Sequence, residues 1–163
     1  LDLASPGKQV FQPVNLGETL RETWALLSAG EELNGRYRLA GNFDSSPVTY
    51  YGNPNQFKQV FWNIVKNALR AMPGGGVLNI DFLEARRDEI ELRFSDTGKG
   101  LSEEDRAHLF EPFYSGFEGG RGLGLAVVRR IVDDYDGRID IRSEQNKGTE
   151  VVITLPVREI PAH

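Results

Sequence analysis

Between Asn53 and Met72 the apolar side chains recur at helical spacing. Phe57, Phe61, Ile64, Val65, Ala68 and Met72 fall on one arc when successive residues are turned by about 100°. Asn53 is placed to cap this helix, with Pro54 as its first residue. Pro73-Gly-Gly-Gly76 stops it, because neither residue type sustains a helix there. A second periodic stretch runs from Leu123, with Val127, Val128, Ile131, Val132 and Tyr135 on one face and Gly137 as its end. Asn15 predicts the cap of an earlier helix reaching about Ala29. Ser102-Glu-Glu-Asp105 is a capping-box pattern that opens a short fourth helix.

The strand signals are shorter. Gln9–Val14, Tyr37–Ala40 and Val48–Tyr51 read as strands, followed by Val77–Leu83 and Glu89–Ser95 about a charged turn at Glu84–Asp88. Arg138–Ser143 and Glu150–Leu155 are the last, and residues 113–121 read as a loop. Helices and strands interleave without strict alternation, which predicts an α+β sandwich of helices on a mixed sheet.

The 163 residues fit one domain, predicted to run from 9 to 157 with a linker at 1–8 and a tail at 158–163. A net charge of -5 argues against nucleic acid as the main partner, since phosphate contacts need clustered Lys and Arg. The absence of cysteine excludes disulfides and thiolate metal sites. No apolar run reaches the roughly 20 residues that span a bilayer, so no direct membrane contact is expected of this segment. Glycine changes the picture more. There are 18, against about 7% in an average protein, and seven fall between Gly98 and Gly124. Such a cluster suits a loop where backbone approaches a ligand.

Four groups of residues can carry chemistry. Asn63, Asn67 and Arg70 share the helix side opposite the Phe61/Ala68 stripe. That is either a solvated face or a polar strip facing a ligand. In the second case the Asn67 carbonyl suits a magnesium ion already bound by phosphates, and Arg70 a phosphate oxygen. Asp96-Thr-Gly98-Lys-Gly100 directly follows a strand. It is a common turn, or a carboxylate that accepts a hydrogen bond from the exocyclic amine of adenine. Gly120-Arg121-Gly122-Leu123-Gly124-Leu125 runs into a helix. It is a hinge, or a phosphate cradle built of free N–H groups at a helix start. Its context is neither a dinucleotide fingerprint nor a P-loop. Phe110-Glu-Pro-Phe113-Tyr114 reads first as core packing and second as the anchor of a mobile lid, and Gly148-Thr149 opens the last strand.

The order of these groups resembles the boxes of the histidine-kinase-type ATPase family, which also holds DNA gyrase, the MutL proteins and a heat-shock chaperone. The resemblance spans residues 10–157 and is strongest to the bacterial sensor kinases, through Asn63-Ile-Val-Lys-Asn67 and Gly122-Leu-Gly-Leu-Ala-Val-Val-Arg-Arg-Ile131. The short lid and the Ala71-Met72 ending resemble the nitrogen- and pilus-regulation sensors. The resemblance implies three main helices on one face of a mixed, five-stranded sheet, the Bergerat-type ATP-binding fold. By position, it implies that Asn67 binds magnesium and that Lys66 and Arg70 contact phosphate. Asp96 would read the adenine amine, helped by Thr149 through a water, and Gly98 and Gly100 would make room for the base. Leu101 and Phe110 join the ATP-binding set. Gly120, Arg121, Gly122, Leu123, Gly124 and Leu125 would hinge the lid and meet the phosphates.

Asn63 stands where gyrase-type enzymes carry a glutamate that activates water, and asparagine cannot act as that base. ATP would then wait for a histidine on a separate dimerisation hairpin of the parent kinase, which in turn feeds a response regulator. His108 and His163 are the only histidines, and neither sits in a phosphoacceptor context. The isolated chain is expected to be monomeric, to bind ATP and not to phosphorylate itself. The implied setting is the cytoplasm, with a parent that is free or anchored in the inner membrane. The rival functions are an anti-sigma-factor type of serine kinase and a nucleotide-binding interaction module.

Overall fold

A computed structural model of the protein describes residues 10–29, 35–45, 47–86, 88–111 and 124–157. The main sheet contains β2 (Tyr37–Ala40), β4 (Gly76–Arg86), β5 (Glu89–Asp96), β6 (Arg138–Glu144) and β7 (Gly148–Pro156), in the order β2-β4-β5-β7-β6. Only β2 and β4 run parallel, so the sheet is mixed, as predicted. β1 (Gln12–Asn15) and β3 (Thr49–Gly52) pair separately as a small antiparallel ribbon.

Three helices pack on one face of the main sheet. α2 (Pro54–Ala71) lies over β5 and β7 and is flanked by α1 (Leu16–Leu27) and α4 (Leu125–Asp134). The cap residues read from sequence are in place. The Asn15 side chain accepts from Glu18 N at 3.1 Å, and the Asn53 side chain from Asn55 N at 2.9 Å. The core forms where the α2 stripe, including Phe57, Phe61, Ile64, Val65 and Ala68, meets Leu78 and Ile80 of β4, Leu92 and Phe94 of β5, and Ile153 and Leu155 of β7. Burial of such apolar faces supplies most of the drive to fold. Tyr135, 1% exposed, ties the end of α4 to the start of α2. Its hydroxyl accepts from Asn53 N at 2.8 Å and donates to Gln56 Oε1 at 2.6 Å.

Some boundaries differ from those read in the sequence. α1 ends at Leu27, where Ser28 N closes onto Trp24 O at 2.8 Å. β4 continues to Arg86 because its ladder with β5 carries on past an irregularity between Glu84 and Arg86. The turn is therefore tighter than Glu84–Asp88. α4 starts at Leu125 and not Leu123, with Gly124 at φ 74° as its cap. α3 (Glu103–Ala107) starts as expected, with Ser102 Oγ accepting from Asp105 N at 3.1 Å.

Candidate functional site

The cleft between α2, α4 and the sheet holds about 630 Å³ of space, part of it open to solvent. Its walls follow from the periodicities. Ile64, Ala68 and Ala71 recur at helical spacing along α2, while Leu78, Phe94, Ile141 and Val151 point up from four strands. The segment 99–109 contributes Leu101 and Leu109, and α4 contributes Leu125. The polar groups are few: Asn67, Asp96, Lys99, Asp105 and Thr149. An apolar cleft with a small set of convergent polar groups is the usual form of a small-molecule site.

Asp96 is the last residue of β5, so its backbone is fixed by the sheet while its side chain reaches the cleft. Its Oδ1 accepts from Gly98 N at 2.9 Å and from Thr149 N at 3.2 Å. Among the described residues its Oδ2 has no hydrogen-bond partner. Burial raises the carboxyl above its ordinary value, and the two amide bonds pull it part of the way back. The Thr149 hydroxyl lies 2.9 Å from Ser143 Oγ.

Gly98 and Gly100 stand where the backbone of other segments comes close. A side chain at Gly98 would place Cβ 2.5 Å from Ala71 O, and one at Gly100 would place it 2.2 Å from Glu144 O. The missing side chains make room for neighbouring backbone. That packing matters to the cleft, because it clamps the loop after Asp96 between the end of α2 and the β6–β7 turn. Lys99 N donates to Ala71 O at 2.9 Å, and Asn146 N to Lys99 O at 2.6 Å. Gly100 also has φ 70°, a backbone conformation that strains any residue with a side chain.

The predicted residues do not all converge. Asn67, Asp96, Gly100, Leu101, Leu125 and Thr149 line the cleft. Asn63 does not. Its side chain packs where a Cβ on Gly124 would stand, 2.9 Å away, so it abuts the start of α4. Lys66 is half-buried and Arg70 exposed, both outside the lining. Phe110 packs against the core, with the Arg129 guanidinium 4.8 Å from its ring centre. His108 Nδ1 lies 2.8 Å from Glu111 Oε2 at the surface. Gly120, Arg121, Gly122 and Leu123 lie outside the described residues. Sequence reading passed over Lys99, Asp105, Leu109 and Ile141 as cleft residues. Lys99 was findable inside the Asp96–Gly100 motif, whereas Asp105 was read only as a capping residue.

Asn67 offers a neutral oxygen at the cleft, a donor that a hard cation accepts when nucleotide phosphates complete its shell. Among the described residues no three acidic or imidazole side chains cluster. The donor set therefore fits a metal that arrives with an anionic ligand.

Comparison with known proteins converges on one family. The family model described as "Histidine kinase-, DNA gyrase B-, and HSP90-like ATPase" matches residues 52–159. Sporulation kinase D of Bacillus subtilis (strain 168) is 48% identical over 158 residues, 96% of this chain and 31% of that protein. Sporulation kinase E of the same organism is 38% identical over 159 residues, 98% of this chain and 21% of that protein. The chain thus spans between a fifth and a third of the length of these relatives. Among solved structures, full-length ShkA in complex with AMPPNP aligns with a TM-score of 0.77 at 25% identity, covering 95% of this chain and 33% of that one. The chain belongs to the family of histidine kinase-, DNA gyrase B- and HSP90-like ATPases, and its relatives within that family are sensor histidine kinases.

Proposed function

We propose that this domain binds Mg-ATP in the cleft and donates the γ-phosphoryl group to a histidine on a separate dimerisation hairpin, from which a response regulator is charged. The observation that carries the reading is Asp96: a half-buried carboxylate at a strand end, one oxygen held by two backbone amides and the other left at an apolar cleft. A pure acceptor in that position selects a ligand that donates, as the exocyclic amine of adenine does. The structure of the relative ShkA contains AMPPNP, which supports a nucleotide ligand for this cleft.

The roles divide by position. Ile64, Ala68 and Phe94 take the flat apolar faces of the base. Asn67, on the cleft's α2 wall, holds magnesium together with the phosphates. Magnesium, when bound, offsets the negative charge that builds on the transferred group. Lys66 and Arg70, on the same helix and outside the lining, meet phosphate oxygens. Asn63 supplies no general base, so water is not activated and the phosphoryl group is kept for the histidine.

The test supplies the chain with ATP labelled at the γ position, magnesium and a separately produced histidine-bearing hairpin from one of the sporulation kinase relatives. Label is expected on the hairpin as an acid-labile phosphohistidine. Asn67→Ala is expected to slow its appearance on the order of 100-fold, the scale on which loss of one transition-state-stabilising group is felt. Acid-stable label, as on serine, or release of phosphate at the same rate without the hairpin, would contradict the reading.

A further inference from the structure

One wall of the cleft is the segment 99–111, whose Leu101, Asp105 and Leu109 belong to the lining. Its regular element is α3, a helix of five residues, too short to keep its shape in water unaided. Contacts with the rest of the fold therefore set where this wall stands. Its front is fixed by hydrogen bonds. Lys99 N donates to Ala71 O at 2.9 Å, Leu101 N to Ser143 Oγ at 2.7 Å and Arg106 Nη1 to Ser143 O at 3.2 Å. Its far end meets α4. Leu125 of α4 lines the cleft, and Arg129 stands one turn further along the same helix face. The Arg129 guanidinium lies 4.8 Å from the centre of the ring of Phe110, the residue after Leu109. Leu109 is buried and Phe110 packs on the core. That burial has no direction of its own, whereas a cation over an aromatic face does.

We infer that Arg129 is a positioning residue: its contact with Phe110 pins the end of this wall to α4, so that Leu109 and Leu125 face the cleft at a fixed separation. Arg129 is exposed and stands outside the lining, so it acts through Phe110 and not on a ligand. A wall that is held before the ligand arrives needs less ordering on binding, which strengthens the complex without a new contact. The effect on binding rests on the nucleotide reading of the cleft; the pin itself does not.

Two readouts on the whole chain test this separately. The first is amide hydrogen exchange without nucleotide. His108 N bonds to Asp105 O and Glu111 N to His108 O, so both report on the wall. In Arg129→Met, which keeps the length and loses the charge, their exchange is expected to quicken about threefold, the fold-change carried by one exposed cation–π contact. Amides of the buried core residues Val65 and Phe94 are expected to stay as they are. The second readout is calorimetric titration with ATP and magnesium, where Arg129→Met is expected to bind about threefold more weakly by the same conversion. Phe110→Leu keeps an apolar side chain and removes the ring. It is expected to reproduce both changes, and adding Arg129→Met to it is expected to bring nothing more, since the two act as one unit. Unchanged exchange at His108 and Glu111 in Arg129→Met overturns the inference. So does a loss of ATP affinity that recurs in the Phe110→Leu background, as a guanidinium meeting phosphate directly would give. A chain whose exchange responds as expected but which binds no ATP keeps the pin and sinks the nucleotide reading instead.

Discussion

Asp96→Asn binds ATP at least about 100-fold more weakly than the wild type, while the protein stays folded. The substitution is nearly isosteric, and an asparagine oxygen still accepts from Gly98 N and Thr149 N, the two bonds that hold the side chain now. What changes is the group left at the cleft. An –NH2 donor replaces an acceptor and faces the donating amine of adenine, so two buried donors oppose each other. Sites built to match one polar group reject the mismatched partner by large factors, because the buried group is left unpaired.

Stability moves the other way. The folded carboxyl titrates above its ordinary value because burial penalises the charge. As pH rises, the unfolded chain therefore loses this proton first, and across that window the folded state binds more protons. Stability from this group is full below the unfolded carboxylate value and is lost as pH rises through the folded one. Asp96→Asn is thus expected to melt at the same temperature as the wild type or higher at neutral pH, with the gap closing under acid conditions. Calorimetry with ATP and thermal melts across pH check both halves. A variant that binds ATP normally, or that is markedly less stable at neutral pH, would contradict the placement of this carboxylate.

Phe61→Ala is expected to cost about 3–5 kcal/mol of folding free energy, the range for truncating a buried aromatic ring. Phe61 is 0% exposed and sits at the crossing of α2 with the sheet. Its ring centre lies 6.3 Å from those of Phe57 and Phe82 and 6.0 Å from that of Phe94. No neighbour can fill the gap without leaving its own packing, so a cavity remains beside the helix that carries Asn67. Leu83→Ala, at a side chain 37% exposed, is expected to cost under about 0.5 kcal/mol. Urea unfolding of the three proteins gives the comparison, and a loss below about 1.5 kcal/mol for Phe61→Ala would mean that the α2 stripe is not the centre of the core.

How much of this was legible in the sequence depended on range. Helix α2 was readable from cap to stop, because its signals are local: Asn53, Pro54, the spacing of Phe57 to Ala68, and then Pro73. The mixed sheet followed from interleaved elements and resemblance, but the separate β1–β3 ribbon did not. Strand pairing between residues so far apart leaves no local mark. Asp96 was findable because a carboxylate between a strand and two glycines is a dense pattern. The reason for those glycines was not, since the carbonyls that fill their space, Ala71 and Glu144, come from elements distant in the chain. The spacing of four puts Asn63 and Asn67 on one side of α2. In the fold Asn63 abuts Gly124 at the start of α4, whereas Asn67 lines the cleft.

The most direct test of the central claim is an amide chemical-shift titration of the labelled chain with magnesium and a non-hydrolysable ATP analogue. The account predicts saturable shifts at Asn67, Asp96, Gly98, Gly100, Leu101 and Thr149, with Trp62 and Leu83, on exposed surface away from the cleft lining, unmoved. Saturation mapped to another surface, or no shifts from a folded chain, would contradict it.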